Sequence, residues 1–378
     1  MRSVERPSRF PFTPGILAAL LGVAPDRRAA LEHALGARPI IPMVVVLVAI
    51  RCKRVLGKVA ASLAGGARRI IGGSNSSDGG AVGPAGVSNP AVSTASRTDT
   101  RAALLPQAVA DGSFPKLIFQ TWKSKVSMPA NYARWSASLR GMNPGFEYFL
   151  WDDADNRRFI EKYYPWFLPV YDAYPREIYR ADAVRYFFLY QFGGLYADMD
   201  TECLRSVERL FESGDVWLGR MGDDPDFSHS IPNAIMASRP LQEFWLLVIH
   251  LLVENARTPG DAESMTDKGP EALTGPILLK NAYDTYLLSD RNAVCGMIQS
   301  IAMRLPDNLQ PGPGTSRVEL LAPAIWYPID WSNMIHLRLS SQVVDFNVAL
   351  GERTKRWLFP RSFLVTYWTH CWKPTRGK

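Results

Sequence analysis

The clearest hydrophobic pattern in the chain lies at positions 175–191, where apolar residues recur every three or four positions. This spacing predicts a helix, and Pro175 is well suited to its first position. The apolar positions of the helix are Ile178, Ala181, Val184 and Phe188. Gly193-Gly194 predicts the end of the helix, and the apolar residues 195–197 predict a short buried strand. A helix that turns through two glycines into a strand is therefore the centre of the predicted fold.

Strand and helix patterns alternate on both sides of this centre. Strands are predicted around 114–119, at 146–150 and 216–219, and in the segment 364–372. Helices are predicted at 131–140, 241–255 and 277–287. This alternation is the pattern of an α/β nucleotide-binding domain.

The first 110 residues have a different composition from the rest of the chain. Positions 1–59 are basic and contain an apolar run at 39–50, and positions 60–110 are a Gly/Ser-rich stem or linker without periodicity. The apolar run is shorter than the roughly 20 residues of a spanning helix, so a short signal-anchor, a late signal peptide and a buried helix all stay open. One folded domain is predicted from 111 to 378, with possible membrane association through the N-terminal segment.

The net charge of +7 changes this picture little. The basic excess lies in the first 70 residues, and no aromatic-interleaved basic patch follows it, so nucleic acid is not an expected partner. The four cysteines are widely spaced and lack a C-x-x-C pair, which argues against a zinc site.

Asp198 and Asp200 follow the central strand, where an extended chain would point both carboxylates to one side. Two neighbouring carboxylates are costly to keep ionised unless a cation compensates, and a hard divalent ion shared with phosphate oxygens is the usual solution. On the preceding helix, Asp182 and Arg185 are three positions apart and share a face. The alternative is a solvated Asp-x-Asp loop with a surface ion pair.

These residues form a specific motif, R-x-D-x-x-R-Y followed by G-G-x-Y-x-D-x-D. It resembles the signature of glycosyltransferase family 32, and Q-T-W at 120–122, W-D-D at 151–153, S-I-P-N-A at 230–234 and T-G-P at 274–276 also resemble that family. The resemblance implies a GT-A type fold with a mixed central sheet flanked by helices. Phe119 stands where the family commonly has a histidine.

The family resemblance also implies an activity. It predicts a retaining, metal-dependent transferase that moves a hexose, with mannose favoured, from a nucleotide-diphosphate sugar to a glycan or glycolipid hydroxyl. GDP-mannose is the favoured donor and a UDP-sugar is the alternative. The implied cofactor is Mn²⁺ or Mg²⁺, and the implied location is a Golgi or other secretory-pathway membrane with single-pass type II topology.

Site roles follow from the same resemblance. Asp200 is expected to bind the metal, and Asp198 to contact ribose, sugar or metal. Asp182 is expected to bind sugar hydroxyls, and Arg185 the diphosphate, so Arg185→Ala should lower turnover roughly a hundredfold with little change in melting temperature. The further predicted metal ligand is His370, and the predicted substrate-binding residues are Gln120, Thr121, Trp122, Tyr186, Asn233, Thr274, Gly275 and Trp372.

Two other functional classes compete with this interpretation. A haloacid-dehalogenase-type phosphatase also places D-x-D after a strand, but its motif has Thr or Val at the fifth position, where this chain has Glu202. A non-catalytic sugar-binding module of the same fold would be expected to have a broken D-x-D, and both carboxylates are present. Trp326, Tyr327 and Trp331 are aromatic enough for sugar stacking, although core packing is the commoner role of such residues.

Overall fold

The computed structural model describes residues 113–257, 269–345 and 349–369, and a six-stranded sheet lies at its centre. The strands are β1 (Leu117–Thr121), β2 (Glu147–Trp151), β3 (Gly194–Ala197), β4 (Thr201–Cys203), β5 (Val216–Gly219), β6 (Ile235–Ser238), β7 (Val318–Leu321) and β8 (Leu364–Thr366). The central sheet has the order β2-β1-β3-β6-β5-β7, and β4 and β8 form a separate antiparallel pair. Only β6 runs against its neighbours in the central sheet, so the sheet is mixed.

Helices cover the sheet. They are α1 (Ala130–Met142), α2 (Asp153–Tyr163), α3 (Leu168–Ala173), α4 (Glu177–Phe192), α5 (Glu243–Arg257), α6 (Gly269–Leu273), α7 (Pro276–Leu288), α8 (Arg291–Ala302), α9 (Pro323–Trp326), α10 (Met334–Asp345) and α11 (Glu352–Leu358). The predicted α/β architecture, with a mixed central sheet flanked by helices, is confirmed. Within the segment 364–372, only Leu364–Thr366 is a strand among the described residues.

Helix α4 is the central helix predicted from the sequence, but it is buried on more than one face. Twelve of its sixteen residues are buried, and it packs against β1, β3 and β6 of the sheet and against α5. A helix that is largely apolar around its circumference belongs inside a protein. The two charged residues in this buried set are Asp182 and Arg185. The surface ion pair considered for them is therefore wrong.

The glycine pair that joins α4 to β3 is required by close backbone contacts. Gly193 and Gly194 have φ values of 65° and 85°, in the left-handed region that favours glycine. A Cβ atom on Gly194 would lie 2.6 Å from the carbonyl oxygen of Leu117, and one on Gly193 would lie 2.6 Å from that of Ser238. The two glycines therefore let α4 end directly against β1 and β6.

Replacing Gly194 with alanine should lower the free energy of unfolding by roughly 1–3 kcal/mol, because the new methyl group meets rigid backbone at a strained φ. Gly296→Ala in α8 is the matched control, since a Cβ there meets nothing within 4 Å. That control should be neutral or stabilise by about 0.5–1 kcal/mol. Chemical denaturation of both variants tests the comparison, and equal midpoints would contradict it.

The strand arrangement brings several chain segments to one edge of the sheet. The parallel strands β1 and β3 both end at this edge, and β6 begins there, since Ala197 pairs with Ile235. The main-chain N–H of Asp198 donates to the carbonyl of Ala234 across this edge at 2.8 Å. Residues after β1, after β3 and before β6 therefore meet.

The β4–β8 pair holds the segment after Asp200. Buried Glu202 in β4 accepts hydrogen bonds from Lys355 Nζ and from the Tyr367 hydroxyl, each at 2.6 Å. This network connects α11 and the residues after β8 to the strand that follows the D-x-D motif.

The predicted N-terminal segment 1–59, its apolar run 39–50 and the stem 60–110 lie outside the described residues. Within the described ranges, none of the helices combines the length and the apolar character that crossing a bilayer requires.

Candidate active site

A cavity of about 440 Å³ opens at the edge of the sheet where β1, β3 and β6 meet. The predicted site residues that line it are Thr121, Trp122, Asp182, Arg185, Asp198, Asp200 and Asn233. Residues from α4, from the D-x-D loop and from the segment before β6 thus face one space. Residues that are separated in the sequence motifs are thus neighbours in the folded chain.

Arg185 is the buried centre of this site. Its side chain is 4% exposed, and its guanidinium pairs with Asp182 Oδ1 at 2.9 Å and with Asp198 Oδ1 at 3.1 Å. It also donates to the main-chain oxygens of Ala181 and Asn233. Burial alone would lower the pKa of Arg185, but the nearby carboxylates outweigh it and raise that pKa. Arg185 is therefore a permanent cation that joins the two carboxylates.

Asp182 is held on both carboxylate oxygens. Oδ1 accepts from the Asn233 side-chain amide at 3.0 Å as well as from Arg185, and Oδ2 accepts from the Thr274 hydroxyl at 3.5 Å. Burial raises the pKa of Asp182 to about 6, against the opposing effect of Arg185. This carboxylate lines the cavity in a fixed orientation.

Asp198 stands at the end of β3 with its side chain 34% exposed. Its Oδ1 accepts from the Tyr196 hydroxyl at 2.9 Å and from Arg185, and the Tyr196 hydroxyl also contacts Thr121 Oγ1 at 3.2 Å. The Arg185 guanidinium lies 4.5 Å from the centre of the Tyr196 ring. Among the described residues these bonds use only Oδ1, which leaves Oδ2 for a ligand. Burial raises the pKa of Asp198.

Asp200 is held by a residue far along the chain. Its Oδ2 accepts from the main-chain N–H of Thr369 at 2.8 Å and from the Thr369 hydroxyl at 3.0 Å. Burial, followed by repulsion from Asp198, raises the pKa of Asp200 to about 6. The preceding residue, Trp368, has φ 50°, a conformation that is costly for a residue other than glycine and that persists where surrounding contacts fix it.

The carboxylate oxygens of Asp198 and Asp200 are suitable ligands for a hard divalent cation. Carboxylate oxygens are the preferred ligands of Mg²⁺ and Mn²⁺, and such ions often use one or two carboxylates together with substrate phosphates and water. Within the described ranges there is no cluster of three or more His, Cys, Asp or Glu side chains arranged to bind a metal. The residues that could hold the ion are therefore the two motif carboxylates, with the remaining ligands supplied by substrate or solvent.

In the presence of chelator, lowering the pH from about 7.5 to about 5 should raise the melting temperature by roughly 2–5 °C. The folded-state pKa values of Asp182 and Asp200, about 6, lie above the unfolded value of about 3.9. Such a group favours folding below its unfolded pKa, and this contribution is lost as the pH rises through the folded pKa. Thermal denaturation across this range tests the sign. The increment should shrink in Asp200→Asn, and an equal increment there would contradict this assignment.

Four residues predicted to bind substrate, Gln120, Tyr186, Thr274 and Gly275, are buried and do not line the cavity, so their role as direct ligands stays a prediction. Gln120 is fully buried; its side-chain amide donates to the Asp198 carbonyl, and its oxygen accepts from the Tyr148 hydroxyl. The Tyr186 hydroxyl, also fully buried, donates to the main-chain oxygens of Thr274 and Gly275. These contacts hold α4 against the turn before α7. The sequence motifs predicted that these residues lie near the site, and in the structure Gln120 and Tyr186 hold the main chain that surrounds it.

Two supporting residues were missed by the sequence reasoning. Tyr196 orients Asp198, and its signal was present inside G-G-x-Y-x-D-x-D. Thr369 orients Asp200, but no local pattern could indicate it because it is 169 positions away in sequence. His370 and Trp372, predicted as a metal ligand and a substrate-binding residue, lie outside the described residues.

Comparisons with known proteins agree with the motif. Residues 129–218 match the family described as glycosyltransferase sugar-binding region containing DXD motif. Inositol phosphoceramide mannosyltransferase 2 of Schizosaccharomyces pombe is 40% identical over 144 residues, which is 38% of this chain and 40% of the relative. Mannosyl phosphorylinositol ceramide synthase CSH1 of Saccharomyces cerevisiae is 30% identical over 185 residues, 49% of this chain and 46% of the relative.

A third relative belongs to a differently named group. The initiation-specific alpha-1,6-mannosyltransferase of Candida albicans is 32% identical over 111 residues, 28% of this chain and 29% of the relative. The chain thus spans less than half the length of each of these relatives. The resemblance to the DXD sugar transferases, predicted from the motifs, is confirmed.

Proposed function

We propose that this chain is a retaining, metal-dependent glycosyltransferase that moves a hexose from a nucleotide-diphosphate sugar to a hydroxyl of a glycan or glycolipid. The observation that carries the proposal is the pair Asp198 and Asp200 on the wall of one cavity, with Asp182 and Arg185 fixed beside them. The names of the similar proteins support mannose as the sugar. GDP-mannose is the donor we propose, with a UDP-sugar as the alternative.

Asp198 and Asp200 would hold the divalent ion, Mn²⁺ or Mg²⁺. When bound, such an ion supplies Lewis-acid neutralisation of the charge that develops on a leaving diphosphate. Tyr196 and Thr369 keep the two carboxylates in fixed orientations, so little rearrangement is needed when the donor arrives. Asp182, which is oriented by Arg185 and Asn233, is placed to accept hydrogen bonds from sugar hydroxyls.

Arg185 takes a different role from the one expected from the motif. Its contacts with two carboxylates and two main-chain oxygens use most of its N–H groups, so we assign it to positioning the carboxylates. Lys123 and Arg176 also line the cavity, and within the described part of the chain neither is in an ion pair. These two cations are the better candidates for contacts with the diphosphate.

Trp122 is proposed to stack on the base of the donor. Its indole N–H donates to the Ser127 carbonyl at 3.0 Å, and its ring centre lies 4.7 Å from that of Tyr132. These contacts fix the plane of a ring that lines the cavity. A fixed aromatic face is suited to a planar base.

The retaining step is proposed to proceed by attack of the acceptor hydroxyl on the face from which the diphosphate leaves. Asp182, the carboxylate that the motif places on α4, accepts hydrogen bonds on both oxygens and pairs with Arg185. A carboxylate restrained in this way is a poor nucleophile. A covalent sugar–enzyme intermediate on Asp182 is therefore the less favoured route.

A donor screen with Mn²⁺ tests the proposed function. Incubation with GDP-mannose, UDP-sugars and other nucleotide sugars should release nucleotide diphosphate from one of them, and chelator should stop the release. Release of inorganic phosphate from p-nitrophenyl phosphate would instead support the phosphatase alternative. Binding of the donor without any turnover would support the non-catalytic module.

The residue at the fifth position of the motif argues against the phosphatase alternative. Glu202 is buried and bound to Lys355 and Tyr367, so it fills a structural role where the phosphatase motif has Thr or Val. Asp198, which would be the nucleophile of such an enzyme, shares its Oδ1 with Arg185 and Tyr196.

A protein comprising residues 106–378 should retain nucleotide release at the full-chain rate. The reason is that the cavity-lining residues of the described structure all lie between Thr121 and Thr369. Residues 1–105 would then serve in targeting, which we propose to be a secretory-pathway membrane such as the Golgi, with type II topology. A folded but inactive 106–378 protein would contradict this division.

A further inference from the structure

Two aromatic residues on the cavity wall have no role in the proposed site so far. Of the three aromatic residues singled out near position 330, Trp326 and Tyr327 are buried in the core at 0% and 1% exposure. Trp331, by contrast, is only partly buried and lines the cavity together with His229. The structure therefore separates core packing from cavity lining within this group.

His229 and Trp331 form a compact aromatic surface with Phe227 behind them. The ring centres of His229 and Trp331 are 5.4 Å apart in an edge-to-face arrangement. Phe227 lies 5.4 Å from His229 and 5.6 Å from Trp331. Edge-to-face aromatic pairs at these distances are stabilising, so the three rings support one another. We call His229, Trp331 and Phe227 the Trp331 platform.

The loop that carries Trp331 is held by a network of hydrogen bonds. Asp330 Oδ1 accepts from the main-chain N–H and the hydroxyl of Ser332 at 2.8 and 2.6 Å, and the Asp330 N–H donates to His336 Nδ1 at 2.9 Å. Gly222, with φ 69°, lies so close that a Cβ there would be 2.9 Å from the Asp330 carboxylate. Trp331 is therefore presented by a preformed loop.

The Trp331 platform is connected to both sides of the proposed catalytic centre. On one side, the Trp368 indole N–H donates to the Ile329 carbonyl at 2.6 Å, and the next residue, Thr369, binds Asp200. On the other side, His229 is four positions before Asn233, whose amide binds Asp182. The platform thus lines the same cavity as the two proposed catalytic carboxylates and is joined through the chain to the residues that bind them.

We infer that the Trp331 platform binds the ring of the acceptor, and that this ring is a polyhydroxylated six-membered ring, a pyranose or a cyclitol. Such a ring has apolar C–H faces that pack on an aromatic surface and hydroxyls at its edge that reach polar groups. The inference rests on the proposed function, because a transferase must hold two substrates together. Trp122 is assigned to the donor base and Asp182 to the hydroxyls of the donor sugar, and Trp368, which also lines the cavity, stacks on buried Tyr327. We therefore assign the Trp331 platform to the acceptor.

Direct ring binding tests the inference without relying on turnover. Saturation-transfer NMR of the full chain with methyl α-D-mannopyranoside and with myo-inositol should show binding of at least one ring. Trp331→Ala should weaken that binding about tenfold or more, and Trp331→Phe, which keeps an aromatic face, should retain most of it. Trp357→Ala is the matched control, because Trp357 is 49% exposed on α11 and does not line the cavity. It should bind as the unchanged chain does.

The donor side provides the second measurement. The dissociation constant of GDP with Mn²⁺, measured by calorimetry, should change less than about twofold in Trp331→Ala. Absence of ring binding in the unchanged chain, equal ring binding in Trp331→Ala, or a parallel loss of GDP affinity would overturn the inference. If ring binding depends on Trp331 but no donor is turned over, the platform stands and the proposed transferase function fails.

Discussion

Replacing Asp200 with asparagine should abolish sugar transfer, lowering turnover by about a thousandfold or more. The variant removes one of the two carboxylates proposed to hold the divalent ion. The remaining carboxylate, Asp198, would offer the ion only Oδ2, because its Oδ1 is bound by Arg185 and Tyr196. The amide oxygen of asparagine can still accept from the N–H and hydroxyl of Thr369, so the local fold should persist. Nucleotide release with Mn²⁺ measures the loss of turnover, and electron paramagnetic resonance of Mn²⁺ measures the loss of metal binding.

The stability of the same variant provides an independent check. Because burial and Asp198 raise the pKa of Asp200 to about 6, the ionised side chain opposes folding at neutral pH. A neutral amide should therefore leave the melting temperature in chelator unchanged or raise it. Asp307→Asn, on an exposed turn, controls for the substitution itself and should alter neither property. Turnover near that of the unchanged chain in Asp200→Asn would disprove the metal role.

Replacing Arg185 with alanine should destabilise the protein as well as inactivate it. The side chain is 4% exposed and neutralises two carboxylates, so its removal leaves Asp182 and Asp198 without their shared cation. Breaking a buried ion pair in this way costs about 3–5 kcal/mol, or a fall of roughly 10 °C in melting temperature. Turnover should fall about a hundredfold or more, because both carboxylates lose their orientation. Thermal denaturation and nucleotide release measure the two effects.

This expectation replaces the one drawn from the sequence, which had the melting temperature of Arg185→Ala nearly unchanged. Arg157→Ala is the matched control: Arg157 pairs with Asp172 at 2.7 Å, but both side chains are more than 40% exposed. Its loss should cost less than about 1 kcal/mol. A double-mutant cycle with Asp182→Asn should show strong coupling to Arg185. Equal melting temperatures for Arg157→Ala and Arg185→Ala would show that the bridge is not important for stability.

The sequence predicted the local elements of the fold well. The helix expected at 175–191 is observed as Glu177–Phe192, and the strand expected at 195–197 is Gly194–Ala197. These elements have strong periodic signals and glycine punctuation, which act within a few residues. The β4–β8 pair and the parallel partner of β5, Val318–Leu321, were not predicted, because their pairing is long-range.

In the candidate site, too, the sequence predicted what depends on neighbouring residues and did not predict what depends on tertiary packing. Local spacing placed Asp182 and Arg185 on one face of α4, and they form an ion pair at 2.9 Å. Whether that face meets solvent or the protein interior depends on which elements pack against it. The spacing of residues in the sequence gives no information on this packing. The same reason explains Gln120, which the motif placed beside the site but which the packing of Tyr148 and the Asp198 carbonyl turns inward.

The contact between Asp200 and Thr369 has a consequence for the order in which the protein is made. The seven strands from β1 to β7 end at Leu321, so a growing chain on the ribosome can complete its central sheet before Thr369 has been synthesised. Asp200 obtains its two donors only afterwards, across a separation of 169 residues, and such long-range contacts tend to form late. A chain cut between Leu321 and Leu364 would keep every strand of the central sheet and lack the groups that orient Asp200, the carboxylate proposed to bind the metal. The strands of the central sheet and the groups that orient Asp200 thus become available at different times.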